Sequence, residues 1–468
     1  MAFLPVRRSD MEARDWDSLD FLFVTGDAYV DHPSFGAALL TRLLESEGYR
    51  VGVLAQPDPS RPDTFLEMGI PRLAVLVSSG VVDSMVNNYT AARKPRRDDR
   101  YSPGGKGGRR PDRALIRYCE AIRAAMGDVP IVVGGLEASL RRFSHDDYWS
   151  GRVRRSVLQD SGADLLVFGS GEGPLLEIAD RLASGIPVRK LTHLRGTCVL
   201  SDVDSLPAAM RAFLDAHSPW ETVLGPVPPR ADLWRGLPSD DRHVLLPSHR
   251  EVSADPLARA VAFRAALAEQ DPAAGRVLFQ WQDRKVLVQN PPAKPLDSRL
   301  LDRVYALPYE RRAHPAHEAE GGVPALEEVL FSLASHRGCY GGCSFCAISM
   351  HQGRLVQPRS AHSILEEARA MTRDPRLKGY IHDVGGPTAN FRQPACARQR
   401  AGSACAHRRC LVPAPCPELE VDHREYLELL ASLRKLPGVR KVFIRSGVRF
   451  DVLPLDPHPG EFLEALCA

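Results

Sequence analysis

The run Phe21-Leu22-Phe23-Val24-Thr25-Gly26 is a short apolar stretch that ends in glycine, and it predicts a buried β-strand. Residues Phe35 to Gly48 then carry apolar side chains at helical spacing, and the next short apolar run extends from Tyr49 to Leu54. Strand, helix and strand in this order predict a parallel sheet with helices packed on its faces. Further apolar runs of the same kind occupy residues 73–78, 131–135 and 165–169.

These runs divide the chain into parts of different character. We predict an α/β fold in which an N-terminal domain, residues 1–190, forms a doubly wound parallel sheet. Residues 191–325 are rich in proline and are predicted to form a bridging region. A second α/β unit over residues 326–468 is predicted to contain three strand–helix units, the first of which begins with a strand from Val329 to Ser335.

Composition limits the class of protein. With 468 residues, 44% of them hydrophobic and 25% charged, the chain reads as an ordinary globular protein of two or three domains. It has no run of eighteen apolar residues and no secretory signal pattern, so we expect no membrane span. Seven of its ten cysteines lie between residues 339 and 416, which favours metal or cluster ligation in the reducing cytoplasm over a disulfide framework.

The most specific motif is the cysteine loop Cys339-Tyr340-Gly341-Gly342-Cys343-Ser344-Phe345-Cys346. Three thiolates on one loop can hold three irons of a 4Fe-4S cluster and leave the fourth iron free to bind another molecule. The alternatives are unpaired structural thiols or a zinc site, although structural zinc sites usually have four ligands. The glycines predict a backbone that wraps closely around the cluster, and Phe345 is expected to shield the cluster or lie near an adenine.

A second motif, Gly385-Gly386-Pro387-Thr388-Ala389-Asn390, follows the next predicted strand, Tyr380 to Val384. Two glycines at the end of a strand leave the backbone open to a ligand. The third predicted strand, Val439 to Ile444, is followed by Ser446, which is a further candidate contact for that ligand.

A second set of cysteines, Cys396, Cys405, Cys410 and Cys416, has the spacing C-x8-C-x4-C-x5-C. It is compatible with a zinc site or an auxiliary cluster, with free thiols packed in a loop, or with redox chemistry that includes a disulfide. His407 is a possible replacement for one of the four ligands.

Two other segments have both a structural and a functional interpretation. Asp31 and His32 are adjacent, so they do not match the D-x-H-x-x-G pattern of cobalamin ligation, and we favour a structural role for His32. The basic loop from Arg93 to Arg110 reads as a solvated insertion, with phosphate or RNA contact as the alternative. The net charge of +3 adds little support to a nucleic-acid partner.

The sequence resembles the YgiQ-type radical S-adenosylmethionine (SAM) proteins. The resemblance is carried by the cysteine loop and by segments that span most of the chain, namely residues 29–36, 134–142 and 385–390. It implies an N-terminal cobalamin-binding-like domain followed by a radical SAM (β/α) barrel. It leaves the substrate undefined.

The resemblance also implies the cofactors and their ligands. Cys339, Cys343 and Cys346 would hold a 4Fe-4S cluster, and Gly385 and Gly386 would bind the methionyl end of SAM. The family form has an acidic residue after the glycines, where this chain has Pro387, so only the backbone part of that contact carries over. The reduced cluster would cleave SAM to a 5′-deoxyadenosyl radical, and the electron would come from a donor such as flavodoxin or ferredoxin.

Members of the family run further, and a radical SAM barrel has six strand–helix units, of which this sequence supplies three. We therefore expect a partial barrel with an open strand edge, as in a fragment, a split gene product or a truncated reading frame. The alternative function is a non-catalytic iron–sulfur protein that transfers electrons or senses redox state.

Overall fold

A computed structural model describes residues 3–217, 233–406 and 408–467. His407, proposed above as a replacement ligand, lies outside the described residues.

The strands are β1 (Phe21–Thr25), β2 (Val30–Asp31), β3 (Val51–Ala55), β4 (Ala74–Ser78), β5 (Ile131–Gly134), β6 (His145–Asp147), β7 (Arg152–Arg154), β8 (Leu165–Val167), β9 (Thr197–Ser201), β10 (His243–Leu245), β11 (Val277–Gln282), β12 (Lys285–Gln289), β13 (Arg312–Ala313), β14 (Ser332–Ala334), β15 (His336–Arg337), β16 (Gln357–Pro358), β17 (Tyr380–Ile381), β18 (Asp383–Gly385) and β19 (Lys441–Val442). The α-helices are α1 (Arg8–Glu12), α2 (Gly36–Ser46), α3 (Ser84–Asn88), α4 (Ala114–Met126), α5 (Gly135–Leu140), α6 (Val157–Ser161), α7 (Glu172–Ala183), α8 (Ala208–Ala216), α9 (His249–Ala254), α10 (Pro256–Ala268), α11 (Ser298–Tyr305), α12 (Pro315–Glu318), α13 (Pro324–Val329), α14 (Ile348–His351), α15 (Ala361–Met371), α16 (Ala397–Arg400), α17 (Arg424–Arg434) and α18 (Pro459–Cys467).

A nine-stranded sheet organises the N-terminal part of the molecule, with the order β10-β11-β12-β9-β8-β5-β4-β1-β3. The five strands β3, β1, β4, β5 and β8 are parallel, which confirms the predicted α/β fold with a parallel sheet. Strand β1 has β3, the next strand of the sheet in sequence, on one side and β4 on the other. The direction of winding therefore reverses between β1 and β4, and such a switch point opens a crevice at the carboxyl ends of the strands.

Both faces of this sheet are covered, as its apolar strands predict. One core contains Leu22, Val24 and Val75 of the strands together with Leu115 and Ile122 of α4. The other contains Phe21, Phe23 and Leu76 together with Leu175 and Ile178 of α7. Each side chain points to the face opposite its neighbour along the strand, because side chains alternate in a strand.

Residues 191–325, which were predicted to form a bridging region, are not structurally separate from the large sheet. Its strands β9, β10, β11 and β12 continue the same sheet, so the predicted boundary at residue 190 does not interrupt it. Strand β9 runs antiparallel to β8, and β12 runs antiparallel to both β9 and β11. The physical reason is that the edge of β8 would otherwise leave backbone N–H and C=O groups unpaired, and a further strand forms hydrogen bonds with them.

The C-terminal part has its own apolar core, which includes Leu333, Ile364, Ile381, Val384 and Leu430. Strand β14 pairs with β18, and β17 pairs with β19, both in parallel. Helices α15 and α17 connect them, and Ser360 caps α15 by accepting a hydrogen bond from the Ser363 amide at 3.0 Å.

Three strand–helix units are thus present in the predicted order, but two boundaries differ. The predicted strand from Val329 to Ser335 is shorter, because Pro324 starts a helix that extends to Val329. The predicted strand from Tyr380 is interrupted at His382. Large apolar side chains of this part reach the surface, with Phe450 79% and Phe443 39% exposed.

Among the residues that the structure describes, no helix is both long enough and apolar enough to cross a membrane.

Candidate functional site

The cysteine loop follows β15 and leads into α14. Gly338 has φ of 79°, and a Cβ at this position would collide with the Leu355 carbonyl oxygen, so only glycine fits where the loop turns. Tyr340 is buried and stacks on Phe391, with ring centroids 3.9 Å apart and nearly parallel planes. This stacking fixes the loop against the segment that follows the Gly385–Gly386 turn.

The three cysteines of the loop are half-buried free thiols. The Gly341 amide donates to Cys339 Sγ at 3.4 Å, and Arg449 Nη1 donates to Cys343 Sγ at 3.2 Å. Burial raises the pKa of Cys339, and the Gly341 amide opposes this rise. The amide and guanidinium donors both stabilise negative charge on sulfur.

Within residues 3–217, 233–406 and 408–467, no group of three or more His, Cys, Asp or Glu side chains is arranged so that it could hold a metal ion. The three thiols of the loop are therefore close in sequence, but their side chains are not arranged as ligands of one metal ion. Their chemistry fits an anionic iron–sulfur cluster, since three thiols share a loop with an amide donor and a cation. The Phe345 side chain, which is predicted to shield the cluster or lie near an adenine, is 90% exposed.

The Gly385–Gly386 turn is closely packed. A Cβ on Gly386 would lie 2.7 Å from the His336 carbonyl oxygen, and a Cβ on Gly385 would collide with Ser446 Oγ. Asp383 Oδ1 accepts hydrogen bonds from the Ser446 amide at 3.1 Å and from its hydroxyl at 3.0 Å. The structure thus brings together the glycine turn and Ser446, the two predicted SAM contacts on separate strands, and Asp383 holds them.

The second cysteine set lies beside the cysteine loop. Cys410 belongs to the same apolar cluster as Cys339, Tyr340 and Phe391. Burial raises the pKa of Cys410, the Arg354 guanidinium opposes this rise, and the neighbouring thiols Cys396, Cys405 and Cys416 add to it. All four are half-buried free thiols.

Two arginines attach the second set to the cysteine loop and its helix. Arg354 donates to the carbonyl oxygens of Cys405 and Arg408, both at 2.6 Å. Arg409 donates to the Gly342 carbonyl oxygen at 3.3 Å. The segment that carries the second set therefore covers one side of the cysteine loop.

A cavity of about 550 Å³ lies at the switch point of the large sheet. Strand ends of the N-terminal part form one wall, including Thr25, Ser78 and Gly134. The opposite wall includes His336 and Gly386 of the C-terminal part. The cavity therefore joins the crevice of the sheet to the predicted SAM-binding turn.

His32 is fully buried and both of its ring nitrogens have partners. Nδ1 accepts from the Ser34 amide at 3.1 Å, and Nε2 lies 3.1 Å from Arg311 Nη1. These contacts agree with a structural role for His32.

In the basic loop, Arg110 is buried against Asp27 and Asp99, and Arg109 pairs with Glu320.

Sequence reasoning missed Arg449, which follows the third strand and reaches the cysteine loop. It also missed Glu172 and Arg337, which form a buried ion pair across the cavity wall. No local pattern marks these residues, since each pair joins segments that are far apart in the chain. The only available signal was position, because Glu172 follows strand β8 at the carboxyl end of the sheet.

Comparison with known proteins gives consistent results over the whole chain. The family model described as Radical SAM N-terminal matches residues 3–332, which covers the large sheet including β9 to β12. A UPF0313 protein of Clostridium botulinum (strain Kyoto / Type A2) is 48% identical over 468 residues, which is 100% of this chain and 67% of that protein. A UPF0313 protein of Clostridium perfringens (strain 13 / Type A) is 49% identical over 462 residues, 99% of this chain and 65% of that protein.

The chain thus spans about two thirds of the length of the curated relatives that it matches. Among solved structures, the radical SAM methyltransferase TsrM of Kitasatospora setae, with cobalamin and a [4Fe-4S] cluster bound, is 17% identical with a TM-score of 0.43. That match covers 93% of this chain and 60% of the TsrM chain.

Proposed function

This chain belongs to the UPF0313 family, the YgiQ-type radical SAM proteins, and from that membership we propose that it is a radical SAM enzyme. The observation that carries the proposal is the cysteine loop, in which Cys339, Cys343 and Cys346 lie on one glycine-rich turn beside Arg449. When bound there, a 4Fe-4S cluster supplies one electron and an open iron site for cleaving the C–S bond of SAM to a 5′-deoxyadenosyl radical.

The residues of this chain have distinct tasks in the proposal. The three thiolates hold the cluster, while the Gly341 amide and Arg449 neutralise part of its charge. Gly385 and Gly386 allow the methionyl end of SAM to approach the backbone, because a side chain at either position would meet Ser446 or His336. Asp383 positions Ser446 as a further SAM contact.

The second cysteine set is proposed as a support for the cysteine loop. Its segment contacts Gly342 through Arg409 and shares an apolar cluster with Cys339. Measuring iron and zinc in Cys410→Ser separates the possibilities. Loss of zinc alone indicates a zinc site, loss of iron indicates an auxiliary cluster, and unchanged metal indicates packed thiols.

The proposed reaction also has consequences for the electron donor and the cellular compartment of the protein. Reduction of the cluster requires a one-electron donor of the flavodoxin or ferredoxin kind. Free thiols at all ten cysteines suit a reducing compartment, and we propose the cytoplasm.

The test is anaerobic reconstitution with iron and sulfide, reduction with dithionite in the presence of SAM, and chromatographic detection of 5′-deoxyadenosine. We expect release of 5′-deoxyadenosine from the parent chain and none from Cys343→Ala, which should also lose the cluster iron. Cys467→Ala is the matched control, because Cys467 is exposed and lies outside the cysteine loop. A cluster that forms and is reduced without cleaving SAM would instead indicate an electron carrier.

The longer Clostridium botulinum relative should be assayed in parallel, because this chain matches 67% of it. Cleavage by the relative but not by this chain would assign the missing contribution to the unmatched part of the relative. Iron content that is unchanged in Cys343→Ala would refute the ligand assignment in either case.

A further inference from the structure

The cavity at the switch point has two different walls. The wall formed by the large sheet and its helices is mainly apolar, with Phe23, Leu39, Leu76, Val132 and Leu175 among its residues. The wall formed by the C-terminal part carries polar side chains, namely His336, Arg337, His351 and Gln352, beside the apolar Ile348. A molecule that fills this space must therefore have an apolar body and at least one polar group.

Glu172 gives that polar group a definite chemistry. It is the first residue of α7, lines the cavity and is 3% exposed. One carboxylate oxygen, Oε1, accepts a hydrogen bond from Arg337 Nη1. The other, Oε2, is buried without a hydrogen-bond partner among the described residues. A buried acceptor without a partner is unfavourable, and a ligand N–H would satisfy it.

The cavity also reaches the proposed SAM site. Gly386 and Pro387 line it, and Gly386 is the residue proposed above to approach the methionyl end of SAM. A molecule in the cavity would therefore be a neighbour of SAM. On the opposite wall, several glycines at the strand ends, namely Gly80, Gly134, Gly135, Gly169 and Gly171, lie among the apolar side chains.

From these observations we propose that the cavity binds an organic molecule with a mainly apolar body and an amine or amide N–H, which donates to Glu172 Oε2. The inference that this molecule is the substrate of the radical reaction rests on the proposed function. The inference that the molecule binds in the cavity does not depend on the proposed function, since none of the cavity residues used here is a proposed cluster ligand.

The test uses 1-aminoanthracene, a fluorescent molecule with an apolar ring system and one amino group, and 1-methylanthracene, which has the same shape without the N–H. Binding is followed by fluorescence enhancement on the chain as isolated and again after cluster reconstitution. We expect saturable binding at one site, with 1-aminoanthracene bound roughly tenfold more tightly, as a hydrogen bond to a charged group supplies.

Two kinds of variant locate the site. Glu172→Gln keeps an acceptor for Arg337 and replaces Oε2 by an N–H donor, so it should abolish the preference for the amine and leave 1-methylanthracene binding unchanged. Ala37→Trp fills the cavity from α2, and Ile348→Trp fills it from the opposite wall, so each should abolish binding of both dyes. Ala183→Trp is the matched control, because Ala183 is exposed at the far end of α7.

Circular dichroism shows whether each variant folds, and having two filling variants keeps the test valid if one of them does not. Equal affinity for the two dyes, or a preference that survives in Glu172→Gln, would overturn the role of Glu172. Undiminished binding in both folded filling variants would overturn the cavity as the site. These results need no SAM cleavage, so a failure of the radical chemistry is distinguishable from a failure of this inference.

Discussion

Arg449 is the residue through which the C-terminal segment reaches the cysteine loop. Its Nη1 donates to Cys343 Sγ at 3.2 Å, and its other nitrogens form a two-point ion pair with Asp451. The hydrogen bond to Asp451 and the charges of Asp451, Cys343 and Cys339 raise the pKa of Arg449, so it stays charged. A fixed cation on a cluster ligand stabilises the more negative, reduced state of the cluster.

We predict that Arg449→Gln lowers the reduction potential of the reconstituted cluster without removing its iron. The measurement is a redox titration followed by electron paramagnetic resonance, with iron content determined in parallel. Arg445→Gln is the control, because Arg445 is an exposed arginine in the same segment. A potential equal to that of the parent chain would contradict the assigned role of Arg449.

His336 makes stability depend on pH. Burial, together with the charge of Arg392, lowers the pKa of His336 to about 3 from its ordinary value of 6.5. Below pH 6.5 the unfolded chain therefore takes up a proton that the folded chain excludes, and the free energy of unfolding falls as the pH falls toward 3. One such histidine costs about 1.4 kcal/mol per pH unit in that range, or about 2 kcal/mol between pH 7.5 and pH 5.

We predict that His336→Asn removes about 2 kcal/mol of this acid-dependent loss, since asparagine does not titrate. Urea unfolding at pH 7.5 and pH 5 provides the measurement. The same replacement at the exposed His193 is the control. An unchanged difference between the two pH values in His336→Asn would contradict the prediction.

At the scale of elements, the Gly385–Gly386 turn depends on the absence of side chains. We predict that Gly386→Ala retains the reconstituted cluster but weakens SAM binding at least roughly tenfold, because the added Cβ would lie 2.7 Å from the His336 carbonyl oxygen and displace the turn. Isothermal titration with SAM on the reconstituted chain measures this. Gly460→Ala in α18 is the control, since a Cβ there meets nothing within 4 Å.

The elements also show which features the sequence could predict. Strands β1, β4 and β5 were predicted because they are apolar runs that end in glycine or serine and are buried on both faces. Strand β14 was predicted too long, since apolar Val329 and Leu330 belong to a helix turn that Pro324 begins. A short apolar run does not distinguish strand from helix by periodicity alone.

The candidate site likewise contains some residues that the sequence predicts and others that it does not. Gly385 and Ser446 were predicted singly, from their positions after strands, and their contact follows from the pairing of neighbouring strands. Arg449 and Glu172 could not be predicted, because their roles come from contacts with Cys343 and Arg337, which no spacing in the sequence reveals.

At the scale of the whole molecule, Glu367 joins the two parts of the chain. It lies on α15 of the C-terminal part, with its side chain 6% exposed, and pairs with Arg311 of the bridging region and with Arg359. The Arg359 side chain is 1% exposed and donates to Glu367 at 2.6 Å. Removing one partner of a buried ion pair leaves an uncompensated charge, which costs about 3–5 kcal/mol.

We therefore predict that Glu367→Ala lowers the free energy of unfolding by about 3–5 kcal/mol in urea. Glu366→Ala is the matched control, because Glu366 is the neighbouring residue and its pair with Arg369 is exposed; its effect should stay below about 1 kcal/mol. A loss in Glu367→Ala as small as in the control would show that the two parts do not depend on this pair.

The order of the large sheet has a consequence for how the protein is made. Strand β8 has β9 as its neighbour, and β9 is in turn flanked by β12, which ends at Gln289. A nascent chain cannot complete this sheet until the ribosome has released residue 289; the edge of β8 stays open until β9 has been made, and the edge of β9 stays open until β12 has been made. Recombinant pieces that stop near residue 190 should aggregate, whereas pieces that extend past β12 should remain dispersed.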